Sequence, residues 1–527
     1  MPYSLLLVFL LPVLAVPFVY FSAKKSPKLA GTIVGSVALV NIGLILSEVP
    51  TVISNSIYTE SYSWIPVLNA HFSLFLDGIS ASIAIITLVL IVAVAIFSIK
   101  YLEGKKNLPV YYSLLSLLSV GLVGVFITSN LLLFYFCWEL MLVPAYFIIG
   151  GWGYRDSYRA AFKLFIFTHA GAVFVLLGIG ALFITTGQSD MFAVQTALLN
   201  PEYLEMARWV LLALTAGFAV KMAVVPVHMW LPDAHSEAPA TMSALLSGVI
   251  ISAGAYAILR LSLCTVLPGI YLNDAAFITS FLHGLAIFGV ITAFFGAFIA
   301  VVETDIKRII AYSSIAHMGY VMFGLSLFPP AIALSLTQAA GSTTQAAVTL
   351  TGIVVASVAV LGTVLHILNH AVSKGLFFLS AGSVMHQTEE RDIRKMGGLA
   401  SKMPFTGASS IIAALSIAGS PPFACFWSEF FIFVGAFEII STDGFYTIPT
   451  VFMLLATVLS LAYSLRFVNK VFLGRSKTEN GFTSAAKKIR DVPNSMKLAM
   501  IILVAFVIVL GVYPAFFINL IKGVALI

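Results

Sequence analysis

An all-α, polytopic membrane protein of about fourteen transmembrane helices is the architecture this sequence predicts. Three observations carry that expectation. Hydrophobic residues make up 60% of the 527 positions and charged residues 9%, far less charge than a soluble surface of this size needs. Apolar runs of roughly 20 residues, the length that spans hydrocarbon, recur along the whole chain. Basic residues gather in alternate connections between those runs, the pattern of a cytoplasmic face.

Taken in order, the apolar runs and their breakers place spans near 3–22, 30–48, 78–99, 110–128, 130–150, 162–186, 207–228, 242–264, 276–301, 307–327, 351–385, 404–440, 448–472 and 495–521. The run from Tyr3 to Phe21 is long and leads into further spans, so it reads as the first helix rather than a cleaved signal. The eleventh and twelfth spans exceed one straight crossing and are expected to bend. Lys24, Lys25 and Lys28 follow the first span, Lys100, Lys105 and Lys106 the third, and Arg155, Arg159 and Lys163 the fifth. Lys307 and Arg308 follow the ninth, Arg391, Arg394, Lys395 and Lys402 the eleventh, and the stretch Arg466 to Lys497 the thirteenth. Glu48, Glu60, Asp190, Glu202, Glu205 and Asp274 mark the opposite side. An even number of spans then leaves both termini outside the cell membrane. The net charge of +6 follows from this asymmetry, and no basic stripe interleaved with aromatics points to nucleic acid.

Cys137, Cys264 and Cys425 are far apart inside apolar runs and form no CxxC, iron–sulfur or zinc spacing. There is no P-loop and no GxGxxG opening a βαβ unit; Gly150-Gly151-Trp152-Gly153 reads as a helix-end turn. No cofactor and no metal is expected on this chain, so redox chemistry associated with it belongs to a partner.

Few ionisable groups remain inside the spans: Glu139, Lys221, Glu429, the line His366, His370 and Lys374, and the scattered His169, His283 and His317. A charge at that depth costs at least roughly 2.5–3.5 kcal/mol, so it persists when paired, hydrated or functional. His366, His370 and Lys374 recur every four residues and share one helix face. A single intramembrane histidine is often a hydrogen-bonded packing residue, which is the plainer reading of His169 and His283. A Glu–Lys pair alone can also serve to hold two helices together. Two acids, two lysines and a line of histidines in one bundle exceed what packing asks for and mark a proton relay.

Two spans are interrupted. The seventh runs from Lys221 to Pro226 and continues with Pro232 and Pro239; the twelfth carries Pro421-Pro422 just ahead of Glu429. Proline removes a backbone donor, and broken backbone at this depth is tolerated only where it faces protein or water. A charge beside each break, in spans five apart, predicts two related halves with discontinuous helices, as in secondary transporters.

Certain motifs go further. They are Phe136-Cys137-Trp138-Glu139-Leu140 with Pro144, Lys221 through Pro226 into Trp230-Leu231-Pro232-Asp233-Ala234-His235, and Glu237-Ala238-Pro239. Ala311-Tyr312-Ser313-Ser314-Ile315-Ala316-His317-Met318-Gly319 and the run from His370 through Lys374 to Leu376 extend them. Together they resemble the antiporter-like membrane subunits of respiratory complex I, most closely the M type, over roughly residues 70–470. The wider family includes F(420)H(2) dehydrogenase, photosynthetic NDH, membrane-bound hydrogenases and Mrp antiporters.

The resemblance implies two inverted five-helix repeats. Residues 1–109 then form helices one to three, 110–264 the first repeat, 265–473 the second, and 474–527 a basic loop with the last helix. It implies that Glu139 pairs with Lys221, that His317 and His370 bridge the halves, and that Glu429 is the terminal site of helix twelve, where the M type has glutamate and its sisters usually lysine. It also implies proton translocation driven by quinone reduction elsewhere, in a complex I-like NAD(P)H or F(420)H(2):quinone oxidoreductase of a prokaryotic plasma membrane. The implied partners are the other membrane-arm subunits and, indirectly, flavin and iron–sulfur subunits. One departure stands out: the helix-eight position that usually carries lysine is Ser252, in SGVIISAGAYAILR. Lys374, His283 or water are the expected substitutes. A polar, uncharged stretch, Gln338 to Thr349, also lengthens the chain between His317 and His370. A Mrp-type sodium/proton antiporter subunit, a membrane-bound hydrogenase subunit and a scaffold without pumping remain the other classes.

Overall fold

In hydrocarbon the backbone can satisfy its polar groups only within itself, and in the computed structural model every expected span falls on helix, some of them interrupted. The structure describes residues 3–55, 57–68, 70–328, 357–474 and 489–522, so the polar stretch 338–349 lies outside the described residues. Helices α1 (Ser4–Lys25) and α2 (Pro27–Asn55) lead through a hairpin, β1 (Ile57–Ile65) and β2 (Ala70–Asp77), into α3 (Gly78–Tyr101) and α4 (Leu108–Ile127). The fifth span is two segments, α5 (Leu131–Leu140) and α6 (Leu142–Trp152), followed by α7 (Ser157–Thr186), the short α8 (Met191–Ala197), α9 (Leu204–Met222) and α10 (Trp230–Glu237). A continuous helix, α11, covers Ala240–Asn273 and contains π-helical stretches at Leu246–Ile250 and Ile258–Val266. Beyond it come α12 (Ala275–Val302), α13 (Ile306–Ser326), α14 (Val358–Thr388), α15 (Pro404–Ile417), α16 (Ala424–Ile440), α17 (Thr447–Val468), α18 (Asn494–Val512) and α19 (Ala515–Lys522).

Among the described residues twelve helices are long and apolar enough to cross a membrane. Fourteen crossings require two more: α14, which carries the polar line, and α15 with α16 as one broken span of 14 and 17 residues. The apolar stretches of α3, α11 and α13 are almost wholly buried, whereas α7, α12 and α17 each keep a large exposed apolar face. Phe18, Phe21, Ile184, Trp209, Phe298 and Val458 stand on such outer faces, where lipid replaces water as solvent. Among the inner helices, α13 and α14 carry the buried His317, His366, His370 and Lys374.

The hairpin has no counterpart among the sequence expectations. It pairs antiparallel from Ile57 opposite Asp77 to Ile65 opposite Ala70, with a bulge between Ser63 and Ile65. Its buried Glu60 accepts from the Leu5 and Leu6 amides at 2.9 and 3.0 Å, an anion at a helix N-terminus. Asp77 closes the hairpin and caps α3 through a reciprocal capping box with Ser80.

Both predicted breaks are present. After α9, Ala223 turns left-handed (φ 59°), Pro226 follows a cis peptide, and the chain re-enters helix only at Trp230. Between α15 and α16, Gly419 turns left-handed (φ 66°) ahead of the cis Pro421–Pro422 bond. Pro239 separates α10 from α11. Pro232 was expected to break the helix and does not: it occupies the first turn of α10, where no amide bonds within the helix are available to lose.

Among the described residues the most extensive helix pairing joins α12 to α13, and it runs through glycines. A Cβ on Gly296 would fall 2.5 Å from the Ala316 amide and 2.8 Å from the Tyr312 carbonyl, the small-residue contact typical of membrane helices. Gly296→Leu is therefore expected to push the pair apart at a cost of about 1–3 kcal/mol, read as a lower melting temperature of the purified chain in detergent.

Candidate functional site

Glu139 sits in the last turn of α5, half-buried, and its Oε2 meets Nδ1 of the half-exposed His169 at 3.3 Å. Oε1 has no partner. Lys221, in the last turn of α9, is buried; it donates to the Trp138 carbonyl at 3.0 Å and stands 4.0 Å above the Trp138 ring. The expected direct Glu139–Lys221 pair is not made: no ion pair within 4.0 Å joins them, and each turns to another partner. The cause lies in α5. That helix ends at Leu140, so its last carbonyls lack intrahelical donors, and the one from Trp138 takes the ammonium. Tryptophan also offers the best ring face for a cation.

The second cluster is denser. His317 of α13 shares a 3.0 Å hydrogen bond with His366 of α14, and its other nitrogen lies 3.2 Å from the Tyr463 hydroxyl of α17. His366 continues to Ser428 at 3.0 Å, one residue before Glu429. His370 stacks near both rings, at 5.7 and 6.3 Å between centroids, with neither nitrogen bonded. The bonded bridge thus runs through His366 rather than His370. Its ring, one turn earlier on α14, is the one aimed at α13 and α16. Lys374, fully buried, donates to Ser313 and, at 3.4 Å, to the Ile310 carbonyl. Beside Ser313, Ser314 bonds Ser247 of α11 at 2.8 Å, so hydroxyls and an ammonium join α11, α13 and α14 next to the histidine cluster. Ser252 is buried with its hydroxyl unpartnered.

Glu429 is buried in the first turns of α16, directly against Gly419 of the break, with Oε1 unpartnered. A side chain on Gly419 would press on this carboxyl, and its positive φ favours glycine independently. Among the described residues His317, His366 and Glu429 form the one group that could hold a metal, with donor atoms within 4.8 Å of one another. A cation there would have to displace the proton shared between the two rings.

His283 lies apart from this line. It bonds Asp443 at 2.7 Å and stacks on Phe445 at 3.8 Å, at the connection between α16 and α17. Of the expected substitutes for a helix-eight lysine, Lys374 is the one in the central cluster. Tyr463, Ser428 and Ser313 join the site through bonds that no sequence motif marks as polar-line contacts. Hydroxyls in apolar runs were the available signal, but serine is common in such helices and only the folded geometry selects these three. A belt of ion pairs straps α10 to α13 and to the loop after α14. It comprises Lys163–Asp233 at 2.6 Å, Arg308–Asp233 at 2.9 Å, Arg391–Glu237 at 3.0 Å and Arg391–Asp305 at 2.7 Å.

A helical membrane protein with two broken helices and a buried chain of titratable groups between them is, as a class, built like an ion-moving subunit. Comparison with known proteins agrees. The model of the transmembrane region of the NADH:quinone oxidoreductase/Mrp antiporter family matches residues 128–340 and 332–460. NADH-quinone oxidoreductase subunit M of Pseudomonas aeruginosa is 32% identical over 461 residues, covering 86% of this chain and 81% of that one. F(420)H(2) dehydrogenase subunit M of Methanosarcina mazei is 28% identical over 97% of this chain and 94% of its own length. The chain belongs to the NADH:quinone oxidoreductase/Mrp antiporter family. Its fold matches a chain of respiratory complex I from Thermus thermophilus with bound NADH (TM-score 0.79, 21% identity, 98% of both chains). It matches equally a chain of the Mrp complex from Dietzia sp. DQ12-45-1b (TM-score 0.78, 20% identity, 99% of this chain and 97% of that one).

Proposed function

We propose that this chain is the proton-translocating membrane subunit of a complex I-like NAD(P)H or F(420)H(2):quinone oxidoreductase in a prokaryotic plasma membrane. The observation that supports it best is a set of buried polar pairs, Ser247–Ser314 and Lys374–Ser313, beside the bonded run His317–His366–Ser428, whose last residue precedes Glu429 at a helix break. In this reading the two breaks belong to two inverted repeats, 110–264 and 265–473, and the basic loops face the cytoplasm with both termini outside. A carboxylate near an ammonium favours its charged form, and withdrawing that field favours release. A neighbouring subunit that draws Glu139 away would therefore send the Lys221 proton toward Lys374, His317 and His366, with His370 alongside. Glu429 would receive it and release it outward. The energy comes from quinone reduction in a partner, through a two-state element for which the broken helices are suited. Electron carriers sit on peripheral flavin and iron–sulfur subunits.

The second reading, a Mrp-type sodium/proton antiporter or hydrogenase subunit, is favoured by the close fold match to the Mrp chain. Purification in mild detergent separates them. The proposal expects flavin and iron–sulfur subunits to copurify and donor oxidation to acidify the vesicle lumen without sodium; sodium-dependent exchange with no such module would replace it.

A further inference from the structure

One buried ion pair plays no part in the relay. Arg260 of α11 meets Asp77, at the end of the hairpin, at 2.6 Å, and both side chains are almost fully buried. The guanidinium is sandwiched between Phe75 and Tyr256, 5.3 and 5.5 Å from their ring centroids. The Asp77 carboxylate is already committed to the N-terminus of α3 through the Ser80 amide, 2.8 Å away. The positive end of that helix therefore offsets much of its charge, and the site as a whole is cationic.

Its position gives the pair meaning. Thr215 of α9 bonds Ser262 of α11 at 3.0 Å, which sets Arg260 about one turn, roughly 6 Å, beyond Lys221 toward the hairpin. Two aromatic layers fill the gap: Trp138 and Phe134 on Phe218 (5.2 and 6.1 Å between centroids), then Phe126 on Tyr256 at 5.1 Å. Along α11 from Ser252 to Arg260 the one ionisable side chain is Tyr256, and its hydroxyl is spent on the Phe126 carbonyl.

We propose that Arg260, held by Asp77 above this aromatic plug, is the electrostatic seal that keeps protons on the hairpin side from reaching Lys221. The proposal rests on the proton-translocating reading and its orientation. A cationic site behind an apolar constriction excludes protons in membrane pores, and arginine keeps its own proton. Without such a seal, a relay that loads Lys221 from one side would discharge through the other.

The test measures passive proton conductance of the assembled complex in proteoliposomes with a trapped pH dye, with no electron donor or quinone present. Turnover is not required, so a failed pumping mechanism and a failed seal read differently. Arg260→Gln should speed decay of a pH jump about tenfold, equivalent to about 1.4 kcal/mol of barrier. Asp77→Asn, which keeps the cation, should stay at the wild-type rate, and the double variant should leak like Arg260→Gln. A merely structural pair predicts otherwise: leakage would follow the unpaired charge, so both single variants would leak and the double would be tight. That pattern, or a wild-type rate in the double variant, overturns the proposal. Should Arg260→Gln fail to assemble, the double variant, with no orphaned charge, decides alone.

Discussion

Replacing Lys221 by Met in the assembled complex is expected to abolish proton translocation. Methionine fills nearly the same volume over the Trp138 ring, so packing survives while the group that holds and gives up a proton is lost. A positioned proton carrier contributes roughly 10²–10⁴-fold to its transfer step, so coupled proton flux should fall at least about a hundredfold. The measurement is the ratio of protons moved to donor oxidised in inverted vesicles. Full stoichiometry in the variant would remove Lys221 from the path.

Glu429→Gln is expected to have an effect of the same size by the same measure. Glutamine keeps the contact with Gly419 and the shape of the α15–α16 break but cannot ionise. Because both residues are placed on one path, their losses should not add: groups acting as a unit are grossly non-additive. The double variant should thus pump no worse than either single one. Losses that multiply would mean two separate routes and would break the thread between Lys221 and Glu429.

Much of the architecture was legible in the sequence because hydrocarbon thickness fixes helix length and proline punctuates helices regardless of tertiary context. The spans and the two breaks follow from those constraints. What was not legible depends on which side chains meet across helices. Glu139 faces His169 instead of Lys221 because the frayed end of α5 offers the lysine a carbonyl. His366 rather than His370 bonds His317 because α14 turns that ring toward α13, a rotation that four-residue spacing leaves open. The hairpin escaped notice because a short alternating segment between two long helices reads as a loop, and its purpose, anchoring α1 through Glu60 and holding Asp77, exists only in three dimensions. His283 reads in the sequence as a hydrogen-bonded packing histidine, and its partner, Asp443, lies on a distant connection that sequence spacing does not reveal.

The spacing along α14 carries an energetic consequence. Lys374 and His366 are two successive i to i+4 steps apart on one helix face, about 12 Å along an axis that rises ~1.5 Å per residue. For a helix standing near the membrane normal, that is about 0.4 of the ~30 Å hydrocarbon layer. If, as proposed, the basic loop after α14 faces the cytoplasm, a proton passing from the lysine to the imidazole would climb about 0.9 kcal/mol for each 100 mV of inside-negative potential. Much of the voltage dependence of turnover would then arise within this one helix.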